Sequence, residues 1–249
     1  MMHRYFHAFI AVLWFYSGIT CGYALPPRFF FGGAPATSAP PEPSGPTYAL
    51  VERFEASPGY DNTGWVESGS ATFNADYTAS LAGSQSLLVS AVAQTTSLTS
   101  KTLTLGSTTY VHLLIRPISY SSSSQFFRLR SSSTTVATVS WTSSGTVRVV
   151  ATGGSIGVTT SAMALNTTYH LYFVYTVGGG TNSTGYIGFS TDGSFPMSGN
   201  NFAQCINGTS TLIPDNVSFG YANPNTFSFV ADDLSVSTTD FATFPPVLP

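Results

Sequence analysis

The chain has 249 residues, 8% of them charged and 14% aromatic, with eight Lys+Arg against eleven Asp+Glu and a formal net charge of −3. A single lysine, Lys101, and no basic stripe exclude nucleic-acid binding by counterion release. Two cysteines and four histidines, scattered along the chain, leave nothing with the spacing of a zinc site.

In chain order, residues 1–24 read as a signal peptide. "MMHRYFH" leads into the apolar run "AFIAVLWFYSGIT", and Gly22-Tyr23-Ala24 sets small residues at the −3 and −1 positions of a cleavage site. The run is shorter than the roughly 20 residues that span a bilayer. Cleavage after Ala24 implies a secreted protein with no membrane span, and a retained anchor is the rival reading. Cleavage leaves His112 and His170 as the histidines, and Cys205 without a partner in the chain. Cys205 then reads as a small buried hydrophobe, with an intermolecular link as the alternative. Residues 25–50 carry seven prolines and little periodicity, the composition of an extended linker.

Residues 51–239 are rich in Ser, Thr, Val, Tyr and Phe and show alternation with period two, which is strand chemistry. In "TYVHLLIRPI", Val111, Leu113 and Ile115 take one face, and Tyr110, His112, Leu114 and Arg116 the other. In "QFFRLR", Phe127 and Leu129 oppose Phe126, Arg128 and Arg130. In "TVRVVA", Val147, Val149 and Ala151 oppose Arg148. In "TYHLYFVY", Tyr169, Leu171, Phe173 and Tyr175 oppose His170 and Tyr172. Turn clusters such as "TSSG" and "GGGTNSTG" separate these runs, as in an antiparallel sandwich or barrel. Trp65 and Trp141 read as core residues. Residues 240–249 read as a tail laid along the outside.

Taken in order, "RFEASPGYDNTGW", "DYTASLAGSQSLLVS", "LNTTYHLYFVYT" and "FVADDLSVS" resemble the concanavalin A-like lectin/glucanase jelly rolls and the related carbohydrate-binding modules. The resemblance covers about residues 51–239. It implies an all-β fold, a two-sheet antiparallel jelly-roll sandwich whose first and last strands lie side by side. It also implies a structural calcium ion held by Glu55 of "FE" and by Asp232 or Asp233 of "ADDLSV". A hard cation with six to eight oxygen ligands suits such a set. The competing reading makes Glu55 a solvated strand-end charge and the aspartate pair a guard on a sheet edge. Strict alternation sends Asp232 and Asp233 to opposite faces.

Catalytic motifs of such folds are missing. No Glu-x-Asp-x-Glu triplet supplies paired carboxylates for glycoside cleavage, and the internal acids Glu67, Asp76, Asp192 and Asp215 stand apart. No Gln precedes His112 in the Gln-x-His pattern of alginate-lyase-type members, and no Gly-x-Ser-x-Gly elbow occurs. Tyr110, His112, Arg116, Arg128, Arg148, His170 and Tyr172 all oppose the apolar positions of their strands. On one sheet they would form a glycan-binding patch, with rings stacking on sugar C–H faces and Arg forks gripping hydroxyls or carboxylates. The expected function is therefore a secreted, non-catalytic module that binds polysaccharide or glycoconjugate, or attaches to a surface through it. The alternatives are a structural or adhesive sandwich without a small ligand, and a polysaccharide hydrolase or lyase lacking the familiar motifs.

Overall fold

Fifteen strands and no helix make up the regular structure of the described residues in the computed structural model, which are 46–56, 60–69, 72–76, 80–94, 96–121, 124–220 and 225–241. The predicted signal peptide, the linker up to residue 45 and tail residues 242–249 lie outside them. The strands are β1 (Tyr48–Glu52), β2 (Val66–Gly69), β3 (Thr72–Asp76), β4 (Ser86–Gln94), β5 (Thr96–Thr99), β6 (Thr108–Tyr120), β7 (Ser124–Ser131) and β8 (Thr134–Trp141). They continue with β9 (Thr146–Ala151), β10 (Ile156–Ala162), β11 (Tyr169–Thr176), β12 (Ser183–Ser190), β13 (Phe202–Gly208), β14 (Asn216–Phe219) and β15 (Asn225–Ser237).

The strands form two antiparallel sheets. The first runs β13-β12-β11-β6-β15-β4-β3, with β1 also on β15, and the second runs β10-β9-β8-β7-β14-β5-β2. Strand β15 is the axis of the first sheet. Its N-terminal half pairs with β4, its C-terminal half with β1, and β6 follows both halves along the other side. Glu52 stands opposite Leu234, so the first and last strands are neighbours, as the resemblance implies. Because β1 begins at Tyr48 and buries Leu50, the expected linker boundary at residue 50 is too late: residues 48–50 already belong to the sheet. The tail also starts by packing, since Phe241 is buried against the rings of Tyr48 and Tyr110, 6.2 and 6.3 Å away between centroids.

Alternation in β6, β9 and β11 delivers Val111, Leu113, Ile115, Val147, Val149, Leu171, Phe173 and Tyr175 to the core between the sheets. Rings from both sheets meet there: Phe126 stacks on Trp141 at 3.8 Å, and Phe229 lies 5.9 Å from Phe126 and 6.1 Å from Phe219. Each such side chain contributes about 1.5–3 kcal/mol through burial. Trp141 is fully buried, and Trp65 packs on the core beside Phe54 and Phe219. Cys205 is a buried free thiol.

Alternation fails at two bulges. The pairing of β7 with β8 slips between Gln125 and Phe127, so Phe126 joins the core with Phe127 instead of sharing the face of Arg128. The pairing of β15 with β6 slips between Asp232 and Ser235, and Asp233 takes φ of 44°. The extra residue places Asp233 near Arg53, Glu55 and His170. Asp232, opposite Leu114, faces outward too, so the expected split of the two aspartates does not occur.

Candidate functional site

Leu114 and the outward residues of β6 show how the first sheet presents its outer face. Register pairs Tyr110 with Val174, His112 with Tyr172 and Leu114 with His170. Strand β12 adds Tyr186 beside Val174 and Gly188 beside Tyr172, and β13 adds Gln204 and Phe202 beside those. Cross-strand partners share a face, so Tyr110, His112, His170 and Tyr172 converge as the sequence suggests. Arg116 occupies the same face further along β6, opposite Val230.

Arg128 and Arg148 do not join them. Both lie on the second sheet, in β7 and β9, whose outer face points away from the first. Arg128 is buried, and its Nη2 donates to Ser97 Oγ at 3.1 Å and Ser218 Oγ at 3.0 Å. The small serines of β5 and β14 let the guanidinium lie flat across the sheet. Arg130 beside it donates to Thr99 Oγ1 at 3.1 Å. The expected single patch is therefore five residues on one sheet and two on the other, because alternation sets the face of a residue within its strand but not the sheet its strand joins.

A loop over residues 191–201 folds onto the first sheet. Tyr172 Oη donates to the Gly193 carbonyl at 2.7 Å, and the Phe195 ring meets Tyr172 edge-on at 5.0 Å. Gly188 makes this approach possible: a Cβ there would sit 3.0 Å from Pro196 and 3.2 Å from Phe195. Between the loop and the start of the tail lies a groove of about 670 Å³. Tyr110, Tyr172, Tyr186 and Phe202 line it with Gln204 and Asp240. Sequence reasoning missed Tyr186, Phe202, Gln204 and Asp240. Gly185 and Gly188 interrupt the apolar alternation that would have marked β12.

Next to the groove, His112 and His170 stack at 5.3 Å with Nε2 of the first 3.1 Å from Nδ1 of the second. The Tyr172 ring lies 4.9 Å from His112. Only 2% of His112 is exposed. Burial, with the nearby His170 charge, pulls its pKa down to about 3, so the imidazole is neutral at ordinary pH. Burial lowers His170 as well, against the pull of the Asp192 and Asp233 carboxylates. Burial raises the Tyr172 phenol, and the charge of Asp192 adds to it.

The residues expected to hold calcium are engaged by hydrogen-bond donors. Both Glu55 oxygens accept from the Ser84 backbone N–H, at 2.9 and 3.1 Å, and Oε2 also accepts from the Ser84 hydroxyl. Asp232 Oδ2 accepts from Ala82 N at 3.0 Å and Ser86 Oγ at 2.6 Å, while Oδ1 accepts from Asp233 N at 2.8 Å. Arg53 brings positive charge to Asp233. Among the described residues, no three His, Cys, Asp or Glu side chains gather around one point. Glu55 instead braces the turn before β4. Glu52, as fully buried as Asp232, accepts from Asp61 N at 2.6 Å, Asn62 N at 3.1 Å and Trp65 Nε1 at 2.8 Å.

No family model matches the chain, and no curated protein is similar to it in sequence. Solved structures are similar in fold. An endo-β-1,4-glucuronan lyase from the fungus Trichoderma reesei superposes with a TM-score of 0.53 at 11% identity, covering 78% of this chain and 96% of that one. A botulinum neurotoxin type C structure, from work on its interaction with ganglioside molecules, gives 0.50 at 8% identity, covering 78% of this chain and 48% of that one. A family 22 carbohydrate-binding module of Clostridium thermocellum Xyn10B gives 0.40 at 17% identity over 81% and 99%. The chain has an all-β fold, a two-sheet antiparallel jelly-roll sandwich.

Proposed function

We propose that this protein is a secreted, non-catalytic module that binds a polysaccharide in the groove on its first sheet. The observation that carries the reading is the lining itself: three tyrosines and three phenylalanines, Tyr110, Tyr186, Phe195 and Phe202 partly exposed among them, beside an amide and a carboxylate, in a cleft of about 670 Å³. Rings of this kind stack on the C–H faces of sugars, and a few placed polar groups pair with hydroxyls. Two features support a non-catalytic role. The neutral His112 is buried beneath its neighbours, out of hydrogen-bond reach of a groove ligand, and Tyr172 spends its hydroxyl on Gly193 while burial holds it protonated. Affinity electrophoresis tests the reading. A gel containing the cognate polysaccharide retards the wild type, and Tyr186→Ala, whose ring stacks on Phe202 at 6.2 Å, loses at least about tenfold in affinity with its melting temperature unchanged. Equal retardation of both proteins would place the sugar elsewhere.

A second reading, a lyase, is favoured by the His112–His170–Tyr172 cluster beside the groove. It requires new ultraviolet absorbance from an unsaturated uronate when the protein is incubated with polyuronates, and no such product is expected.

A further inference from the structure

Resting on the glycan reading of the groove, we infer that the site takes uncharged polysaccharide and rejects polyuronates. The charges around it decide this. Among the described residues, Asp240 is the only acidic or basic side chain lining the groove. It is exposed, and its charge adds to burial in raising the Tyr110 phenol. The next charges felt along the floor are again carboxylates: Asp192 acts on Tyr172 and His170, and Asp233 acts on His170. The histidines beside the groove are neutral through burial and bring no compensating charge.

Cations are remote. Arg116, on the same face, is six positions along β6 from Tyr110, roughly 20 Å at ~3.3 Å per residue. Arg128, Arg130 and Arg148 belong to the second sheet. A uronate carboxylate seated on Tyr110 would therefore leave water to face Asp240, with no cation among the described lining residues to receive it. An uncharged sugar meets the opposite situation. Its hydroxyls donate to the Asp240 carboxylate, as charge-assisted hydrogen bonds do best, and they accept from the Gln204 amide. Its C–H faces lie against Tyr110 and Tyr186, the partly exposed tyrosine rings of the groove. The groove thus turns its acid into a hydroxyl acceptor and, by the same charge, into a filter.

The test uses the full chain in affinity electrophoresis against uncharged polymers (hydroxyethylcellulose, xylan, β-mannan) and polyuronates (alginate, polygalacturonate), each at low and moderate salt. The expected result is retardation by at least one uncharged polymer, insensitive to salt, with affinity for both polyuronates at least about tenfold weaker. Asp240→Lys, an exposed position, should then gain salt-sensitive retardation by the polyuronates. Stronger retardation of the wild type by a polyuronate than by any uncharged polymer overturns the inference and leaves the glycan reading standing. No retardation by either class sinks the glycan reading and this inference with it.

Discussion

At the scale of single residues, His112 sets a pH dependence with a definite sign. Its folded pKa of about 3 lies well below the 6.5 of an unfolded histidine, so the unfolded chain binds a proton first as the solution acidifies. Its contribution is complete above pH 6.5 and is lost as pH falls toward 3. Asp232 works the other way: burial raises it to about 6 from 3.8, so its proton favours the folded state between those values. The histidine has the larger shift, and the wild type should lose stability between pH 6.5 and 4. His112→Phe keeps a ring against Tyr172 and His170 and removes the titration. Urea melts across that range should show a smaller loss in the variant, or a gain from Asp232. Parallel curves would refute the argument. The acid that matters near β1 was not legible. Residue spacing draws attention to Glu55 beside Phe54, whereas Glu52 is the carboxylate that organises residues 61–65. Half of its hydrogen bonds come from backbone N–H groups of a turn, which leave no mark in sequence.

Single elements divide into those that alternation describes and those that bulges disturb. The core face of strands β6, β9 and β11 could be read residue by residue because its alternate positions are all buried, whereas the outer face is also covered at His112, Leu114 and Tyr172. Phe126 and Asp233 could not, since an inserted residue shifts everything after it by one face. The loop over residues 191–201 was also hidden: its polar, Gly- and Ser-rich sequence looks like any connection, yet it forms a wall of the groove. Gly188 is where that wall can be moved. An alanine Cβ would press on Pro196 and Phe195 at 3.0 and 3.2 Å, and the loop, unlike the strand beneath it, is free to lift. Gly188→Ala should therefore separate Phe195 from Tyr172. The expected signs are a changed near-ultraviolet circular dichroism band, several-fold weaker glycan retardation, and a destabilisation of about 1 kcal/mol. An unchanged band would mean that the loop does not rest on Gly188.

For the whole molecule, alternation and turn spacing were enough for a two-layered all-β body, but nothing in them told which strands share a sheet. That gap moved Arg128 and Arg148 away from the expected patch, and it also hid how the sandwich is closed along one side. There the edge strands β10 and β13, one from each sheet, lie against each other. Ser155 N donates to Ile206 O at 2.8 Å, Thr160 N and Ser161 N to Asn200 O at 3.0 and 2.9 Å, and Thr209 N to Thr152 O at 2.8 Å. Pairing two edges removes the exposed hydrogen-bonding groups that make an open sheet prone to aggregate. Backbones approach this closely at Gly157, where a Cβ would fall 2.3 Å from Gln204 O and 2.5 Å from its carbonyl carbon. Neither atom belongs to a flexible side chain, so Gly157→Ala must push the two sheets apart at that seam. The cost should be about 3 kcal/mol, toward the upper end for overpacking, which corresponds to a melting temperature lowered by roughly 6–12 °C in a domain of this size. Hydrogen exchange should quicken at Ser155, Thr160, Ser161 and Thr209 while the amides of β6 and β15 keep their protection. Gly179→Ala is the control, because nothing lies within 4 Å of a Cβ at that position. Equal melting temperatures for the two variants would show that the seam does not close the sandwich, and that the first sheet holds its groove without support from the second at that edge.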